Sequence, residues 1–386
     1  MTRTSANDYR KLFMLDPDII FLNHGSFGAT PRPVFAAYQE WQRKLEWQPV
    51  EFLGRRANDL LQGARGRLAA YLNTAADNLV FVTNATHGIN IIARSLRLGP
   101  DDEVLASDHE YGALDRAWRF LAGKSGFKYI NIPISLPVGS AADFVESFFT
   151  KVTPNTRVIF LSHITSPTAL IFPIQAICAR ARATGIITVI DGAHAPGQIP
   201  LTLDTLGADF YSGNCHKWLC APKGSAFLYA APHVQHMVEP LIVSWGWESD
   251  HPGDSRFIDI LEWTGTRDIS AFLAVPDAID FQESHSWPDI RTRCHQLVVE
   301  TQVNIQKLTG LTPLGGENPN VFAQMGASPL PATTDLDIVK SRLYEEYHIE
   351  VPMIDWNGTK LIRYSFQAYN DESDQEALLT ALSDLL

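Results

Sequence analysis

Cysteine is scarce in this sequence: four residues in 386, Cys178, Cys215, Cys220 and Cys294, with no CxxC pair among them. That excludes a disulfide-stapled secreted scaffold and reads as reduced thiols in a cytoplasmic protein. Basic residues are also short. Lys and Arg number 31 against 43 Asp and Glu, a net charge of −12. Such a chain is a poor match for nucleic-acid phosphates or for an anionic membrane surface. No stretch approaches the ~18 uninterrupted apolar residues of a membrane span. The first fifteen residues carry Arg3, Asp8, Arg10 and Lys11 where a signal peptide needs an apolar core. Internal repeats and low-complexity tracts are lacking too. What remains is ordinary globular composition: 45% hydrophobic residues and 19% charged suffice for one large core and a smaller one. The expected partner is a small molecule.

The segment FLNHGSFGATPRP, residues 21–33, holds Gly25, Gly28, Pro31 and Pro33 and reads as a loop. Two helices follow; in the second, Leu60, Ala64, Leu68 and Leu72 make one apolar face. From residue 79 short apolar runs alternate with helical patterns. Residues 79–82, 103–106, 129–134, 157–161, 186–190, 208–211 and 225–229 read as strands. Helices fall between them, one through Ile89, Ile92, Ala93 and Leu96, another over 173–184 with Pro173 at its start. Continuous apolar strands alternating with helices predict an α/β fold whose mostly parallel sheet is covered on both faces. After Asp268 the pattern changes to long helices over 270–283 and 289–308, then a strand near 361–365 and a terminal helix. That predicts a smaller α+β C-terminal domain.

Chemistry concentrates in residues 191–224, DGAHAPGQIPLTLDTLGADFYSGNCHKWLCAPKG. Asp191 follows the run IITVI, so it projects from the carboxyl end of the sheet, where ligands bind in open α/β sheets. Lys217 comes 26 residues later in a polar loop. A lysine amine and a carboxylate so placed are what pyridoxal 5′-phosphate requires. The amine bonds the aldehyde, and the carboxylate keeps the pyridine nitrogen protonated. An ordinary lysine has a pKa of ~10.4, so burial or a nearby cation must lower it. The turn Thr83-Asn84-Ala85-Thr86-His87-Gly88 joins a strand to a helix. A helix N-terminus suits a phosphate, with Asn84 or Thr86 as cap. Singly, each residue has a plainer reading: Lys217 a solvated charge, Asp191 a helix cap, Tyr111 a packed aromatic, Arg363 a surface ion-pair partner. Cys215, His216 and Cys220 lack the paired spacing of a zinc site, and no metal is expected.

The runs YSGNCHKWLCAPKGSAFLY, VIDGAHAPGQ, FVTNATHGIN, EWTGTRD and LIRYSFQAYN together resemble the class V aminotransferase family of fold-type I pyridoxal-phosphate enzymes. Within it, SHITSPTAL and GNCHKWLCAPKG are similar to the isopenicillin N epimerase-like branch. The resemblance covers residues 20–370. It implies that Lys217 carries the cofactor and Asp191 meets the pyridine nitrogen. His194 stands where many relatives have a glutamine near the phenolic oxygen. Ala85 and Thr86 form the phosphate turn, with Asn214 and His216 reaching the phosphate. Thr266 implies a homodimer with shared active sites, since its counterpart reaches the neighbouring subunit's phosphate. Tyr111 stacks on the ring, with His109 as the fallback. Arg363 grips the substrate carboxylate, beside the loop Asn23-His24-Gly25-Ser26. At the cofactor oxygen, where desulfurases have an asparagine, His163 or Ser166 falls nearest.

The family's cysteine desulfurases carry a nucleophilic cysteine shortly before the arginine segment; HIEVPMIDWNGTKLIR has none, so a persulfide mechanism is not expected. The reading is therefore an enzyme acting at the α-carbon of an amino acid, epimerase-like. A C–S lyase or an aminotransferase of the same family is the alternative, and a non-catalytic pyridoxal-phosphate-binding protein is a third. The implied division is an N-terminal segment over 1–30 that joins the small domain and the substrate pocket, a cofactor-binding domain over 31–268 and a small domain over 269–386.

Overall fold

The apolar runs become strands that a sheet buries on both faces. The computed structural model describes residues 6–386; the first five residues of the N-terminal segment lie outside it. A two-residue strand, β1 (Ile20–Phe21), comes first. Then follow β2 (Leu79–Val82), β3 (Glu103–Ser107), β4 (Lys128–Ile132), β5 (Thr156–Ser162), β6 (Ile187–Asp191), β7 (Phe210–Asn214) and β8 (Ala226–Ala230). These seven make one sheet in the order β2-β8-β7-β6-β5-β3-β4. β8 runs antiparallel to both neighbours, and every other pair is parallel. Val80, Leu105, Ile159, Ile190, Phe210 and Leu228 are fully buried along its middle, each contributing roughly 1.5–3 kcal/mol of burial.

From β3 the chain moves outward to β4, then returns to lay β5, β6 and β7 on β3's other side. The crevice between diverging connections, at the carboxyl ends of β3 and β5, is where an open α/β sheet takes its ligand. In β6, Asp191 is the last strand residue, in register with Ser162 of β5 and Ser212 of β7. The helix Ala85–Ser95 lies so close to β7 that a Cβ on Gly88 would stand 2.2 Å from the Ser212 hydroxyl. Ile89, Ile92, Ala93 and Leu96 are buried on this side, as their spacing predicts.

The C-terminal part holds β9 (Met325–Pro329), β10 (Ile349–Glu350), β11 (Met353–Trp356) and β12 (Thr359–Ser365). β11, β12 and β9 form an antiparallel sheet. β10 pairs in parallel with β1, which fastens the N-terminal segment to this part of the chain.

Three local expectations change. Residues 21–33 are not all loop: His24–Phe27 is one helical turn, and a helix starts at Arg32 with Pro31 as its cap. Pro33 is tolerated there because the first-turn N–H groups need no helical partner. The single helix over 270–283 is two, Ser270–Leu273 and Val275–Ser284. Pro276 lacks an N–H and disfavours helical backbone in the residue before it. In the helix Ala57–Tyr71 it is Leu61, with Ala64 and Leu68, that is buried, and Leu60 only half so.

Candidate active site

The carboxyl edge of the large sheet brings the predicted carboxylate and amine together. Asp191 is 3% exposed. One of its carboxylate oxygens accepts the Ala193 N–H at 2.9 Å; among the described residues no hydrogen bond ends on the other. Burial pushes this carboxyl up, while the Ala193 N–H and the Lys217 charge hold it down.

β7 leads to Asn214, and the turn after it carries Lys217. Part of the lysine side chain reaches the surface, yet desolvation and then Arg363 pull its ammonium well below the usual lysine range, against Asp191. Its Nζ lies 3.2 Å from His194 Nε2. The other ring nitrogen of His194 accepts the Trp218 indole N–H at 3.3 Å. His194 is buried, and desolvation plus the charges of Lys217, Arg363 and His24 keep it far below the ordinary histidine range. The turn is packed from above by the N-terminal segment. At Gly28 φ is +70°, and a Cβ there would stand 2.1 Å from the His216 carbonyl oxygen and 2.9 Å from Lys217 Cα. Only glycine permits that backbone and that approach.

The strand-to-helix turn after β2 is the candidate anion seat. Asn84 caps the helix, accepting the His87 N–H at 2.8 Å. The Ala85 N–H is already taken by Asn214 Oδ1 at 2.8 Å. No hydrogen bond among the described residues uses the Thr86 N–H or hydroxyl, which leaves a donor pair at a helix N-terminus. His216 Nδ1 lies 2.8 Å from the Ser225 carbonyl, to which it donates, and burial lowers its pKa to about 4. Thr266 is exposed on its loop and is not among the groups gathered around Lys217 in its own chain.

Arg363, on β12, completes the pocket. Its guanidinium donates to the Ser166 carbonyl at 2.5 Å, the Ser166 hydroxyl at 3.3 Å and Ser26 Oγ at 3.0 Å. Ser26 in turn donates to Asn23 Oδ1 at 2.5 Å, and Asn23 Nδ2 donates to Glu350 Oε1 at 2.8 Å. The Gly25 N–H donates to Ser365 Oγ at 3.3 Å, and a Cβ on Gly25 would meet Met325 and approach His194. Burial lowers Arg363 to about 10, and Tyr111 is near enough to oppose that.

The remaining candidates sort cleanly. Tyr111 is 44% exposed and lies within electrostatic reach of Arg363. His109, the fallback, is fully buried, bonded to Thr168 Oγ1 at 2.7 Å and packed on Trp356 and Phe172. His163 pairs with the Tyr211 hydroxyl at 3.0 Å, whereas Ser166 meets Arg363. Sequence reasoning missed Trp218, Glu350 and Glu110. The Glu110 carboxyl accepts from Ser107 and Ser162 at 2.5 and 2.6 Å; burial, helped by Asp191, raises it to about 8. His24 was named only as part of its loop. It bridges the Tyr369 hydroxyl at 2.9 Å and the Lys217 carbonyl at 3.1 Å. A surface cavity lined by Arg65, Trp245, Glu262 and Trp263 shares none of these residues.

A low-pKa amine, a buried carboxylate with an open oxygen and a helix N-terminus with free donors fit an aldehyde cofactor with a ring nitrogen and a phosphate. The family model described as aminotransferase class-V matches residues 20–378. The chain belongs to the class-V aminotransferase family. It is a pyridoxal-phosphate-dependent enzyme. It is 36% identical to the isopenicillin N epimerase of Amycolatopsis lactamdurans, over 100% of each chain. A protein of Oryza sativa subsp. japonica, provisionally named L-cysteine desulfhydrase 1, is 29% identical over 95% of this chain and 83% of that one. Among solved structures, the cystine C–S lyase C-DES, 21% identical, superposes with a TM-score of 0.83 over 96% of this chain and 98% of that one. The large parallel sheet with its smaller antiparallel partner is the fold-type I arrangement.

Proposed function

We propose that this enzyme takes the α-proton from an amino acid, or from a substrate containing one, and returns a proton to the opposite face, as an epimerase. The observation that carries the reading is the Lys217 amine, desolvated at 3.2 Å from His194 in one pocket with Arg363. The full-length relationship to an isopenicillin N epimerase supports it.

The cofactor, when bound, supplies an electron sink for the pair left on the α-carbon. Lys217 would hold it, with Asp191 at the ring nitrogen, His194 at the phenolic oxygen, and Thr86, Ala85, Asn214 and His216 around the phosphate. A lowered pKa lets Lys217 reach the free-base form near neutral pH, so it can take the proton. Arg363 meets the substrate carboxylate with a planar fork, which fixes one C–H bond along the direction of proton transfer. Asn23, Gly25 and Ser26 close the pocket around that carboxylate. Tyr111, at the rim beside Arg363, is the proposed proton donor on the face away from Lys217 and the proposed ring-stacking partner.

α-Deuterium exchange over a panel of amino acids tests this. Exchange accompanied by inversion is expected for at least one member; no exchange with any would refute it. A C–S lyase is the second reading, favoured by the likeness to the desulfhydrase-named protein, and release of pyruvate and sulfide from cysteine would establish it.

We further infer a homodimer working in the cytoplasm. Leu241, Ile242, Val243 and Trp245 form an exposed apolar run, with Trp245 85% exposed, and such patches mark interaction surfaces. Thr266, exposed nearby in sequence, would reach the partner's phosphate. The four cysteines are all free and buried. Light scattering reporting a monomer at working concentration would refute the dimer. The division into a cofactor-binding domain over 31–268 and a small domain over 269–386 belongs to the same reading, with limited proteolysis as its test.

A further inference from the structure

We propose that Trp218 is a positioning residue that locks His194 in its Nε2–H tautomer, so that the imidazole always presents a donor to the lysine nitrogen. The inference rests on the pyridoxal-phosphate reading of Lys217 and adds a residue to it.

The geometry leaves one consistent proton arrangement. An indole N–H can only donate, so the His194 Nδ1 that Trp218 Nε1 meets at 3.3 Å carries a lone pair. A neutral imidazole with a bare Nδ1 carries its proton on Nε2. That N–H faces Lys217 Nζ at 3.2 Å. An ammonium has three donors and no acceptor, so the contact is a hydrogen bond only if the lysine nitrogen keeps its lone pair. His194 cannot escape by charging, because it is 2% exposed and Arg363, with Lys217 whenever that amine is protonated, sets positive charge against it. Trp218 is itself immobile, with 0% exposure and its carbonyl holding the Gln282 amide at 2.7 Å.

The groups that bear on the titration come from every side: Asp191 at the end of β6 and Arg363 on β12 act on Lys217, and His24 acts on His194. His194 is the one that meets the lysine nitrogen directly, and an imidazole can change from donor to acceptor without changing charge. Without the indole N–H, the ring is free to move its proton to Nδ1 and accept from a protonated lysine nitrogen. The Lys217 nitrogen would then hold its proton to higher pH.

The test is a spectrophotometric pH titration of the yellow holoenzyme in four forms: wild type, Trp218→Phe, His194→Gln and the double variant. Trp218→Phe should move the midpoint upward by about one pH unit, the size of one hydrogen bond reversed in direction. His194→Gln removes the imidazole whose tautomer the indole selects, so adding Trp218→Phe to it should leave the midpoint where it was. No shift in Trp218→Phe, or an equal shift in both backgrounds, overturns the lock. Should Trp218→Phe fail to fold, nitrogen chemical shifts of 15N-histidine-labelled wild-type holoenzyme decide. A protonated Nε2 and a bare Nδ1 on His194 are expected, and the reverse overturns the lock. Borohydride reduction of the wild type that leaves no cofactor on Lys217 would instead sink the cofactor assignment, which separates the two failures.

Discussion

Replacing Arg363 separates its two roles, because the charge and the fork act on different quantities. In Arg363→Ala the substrate carboxylate loses a paired, charge-assisted contact. Two such bonds at ~1.5–3 kcal/mol each amount to roughly 3–6 kcal/mol, or about 10²–10⁴-fold in kcat/KM. The positive charge that helps depress Lys217 goes too. The protonated lysine then becomes easier to form, so the acidic limb of the profile, which reports the need for a free amine, moves to higher pH. In Arg363→Lys the charge stays but the planar fork does not. The rate should therefore fall nearly as far while the limb stays close to its wild-type position. The assay is α-deuterium exchange at limiting substrate across pH 5–10, roughly the window between carboxylate and lysine titration. A loss under about tenfold in Arg363→Ala, or a limb that moves to lower pH, would refute the placement of this arginine.

Asn23→Asp should raise KM more than it lowers kcat, because the new carboxylate faces Glu350 at the distance the amide now occupies and withdraws support from Ser26; steady-state kinetics checks this. Gly28→Ala should lower stability by about 2–4 kcal/mol, from its left-handed backbone and the overlap with His216, and slow exchange at least tenfold, as denaturant melts and the exchange assay would show. Glu262→Ala strands Arg65, whose side chain is 5% exposed, and should cost about 3–5 kcal/mol of stability with little change in the activity per folded molecule.

The sheet was legible because buried strands need continuous apolar runs, and Asp191 because it ends one of them. Lys217 followed from the chemistry the carboxylate demands. The supporting residues were not legible, for a physical reason. Glu350 meets Asn23 across 327 positions, through a two-residue strand pair too short to leave a pattern. Trp218 sits beside Lys217 in sequence, but nothing in the residue order says that its indole turns back to His194. Glu110 reads as a surface charge until Ser107 and Ser162 are seen to enclose it. The resemblance puts Tyr111 ahead of His109, and packing on Trp356 and Phe172 takes His109 into the interior and leaves Tyr111 exposed. Pro276, by contrast, stands in plain sight within the span 270–283 and divides it into two helices.

Borohydride reduction of the yellow protein, followed by peptide mass spectrometry, tests the central assignment most directly. The reduced cofactor should be found on Lys217, in the peptide containing GNCHKW, and the covalent label should be lost in Lys217→Ala. Label on another lysine, or none on Lys217, would contradict the account.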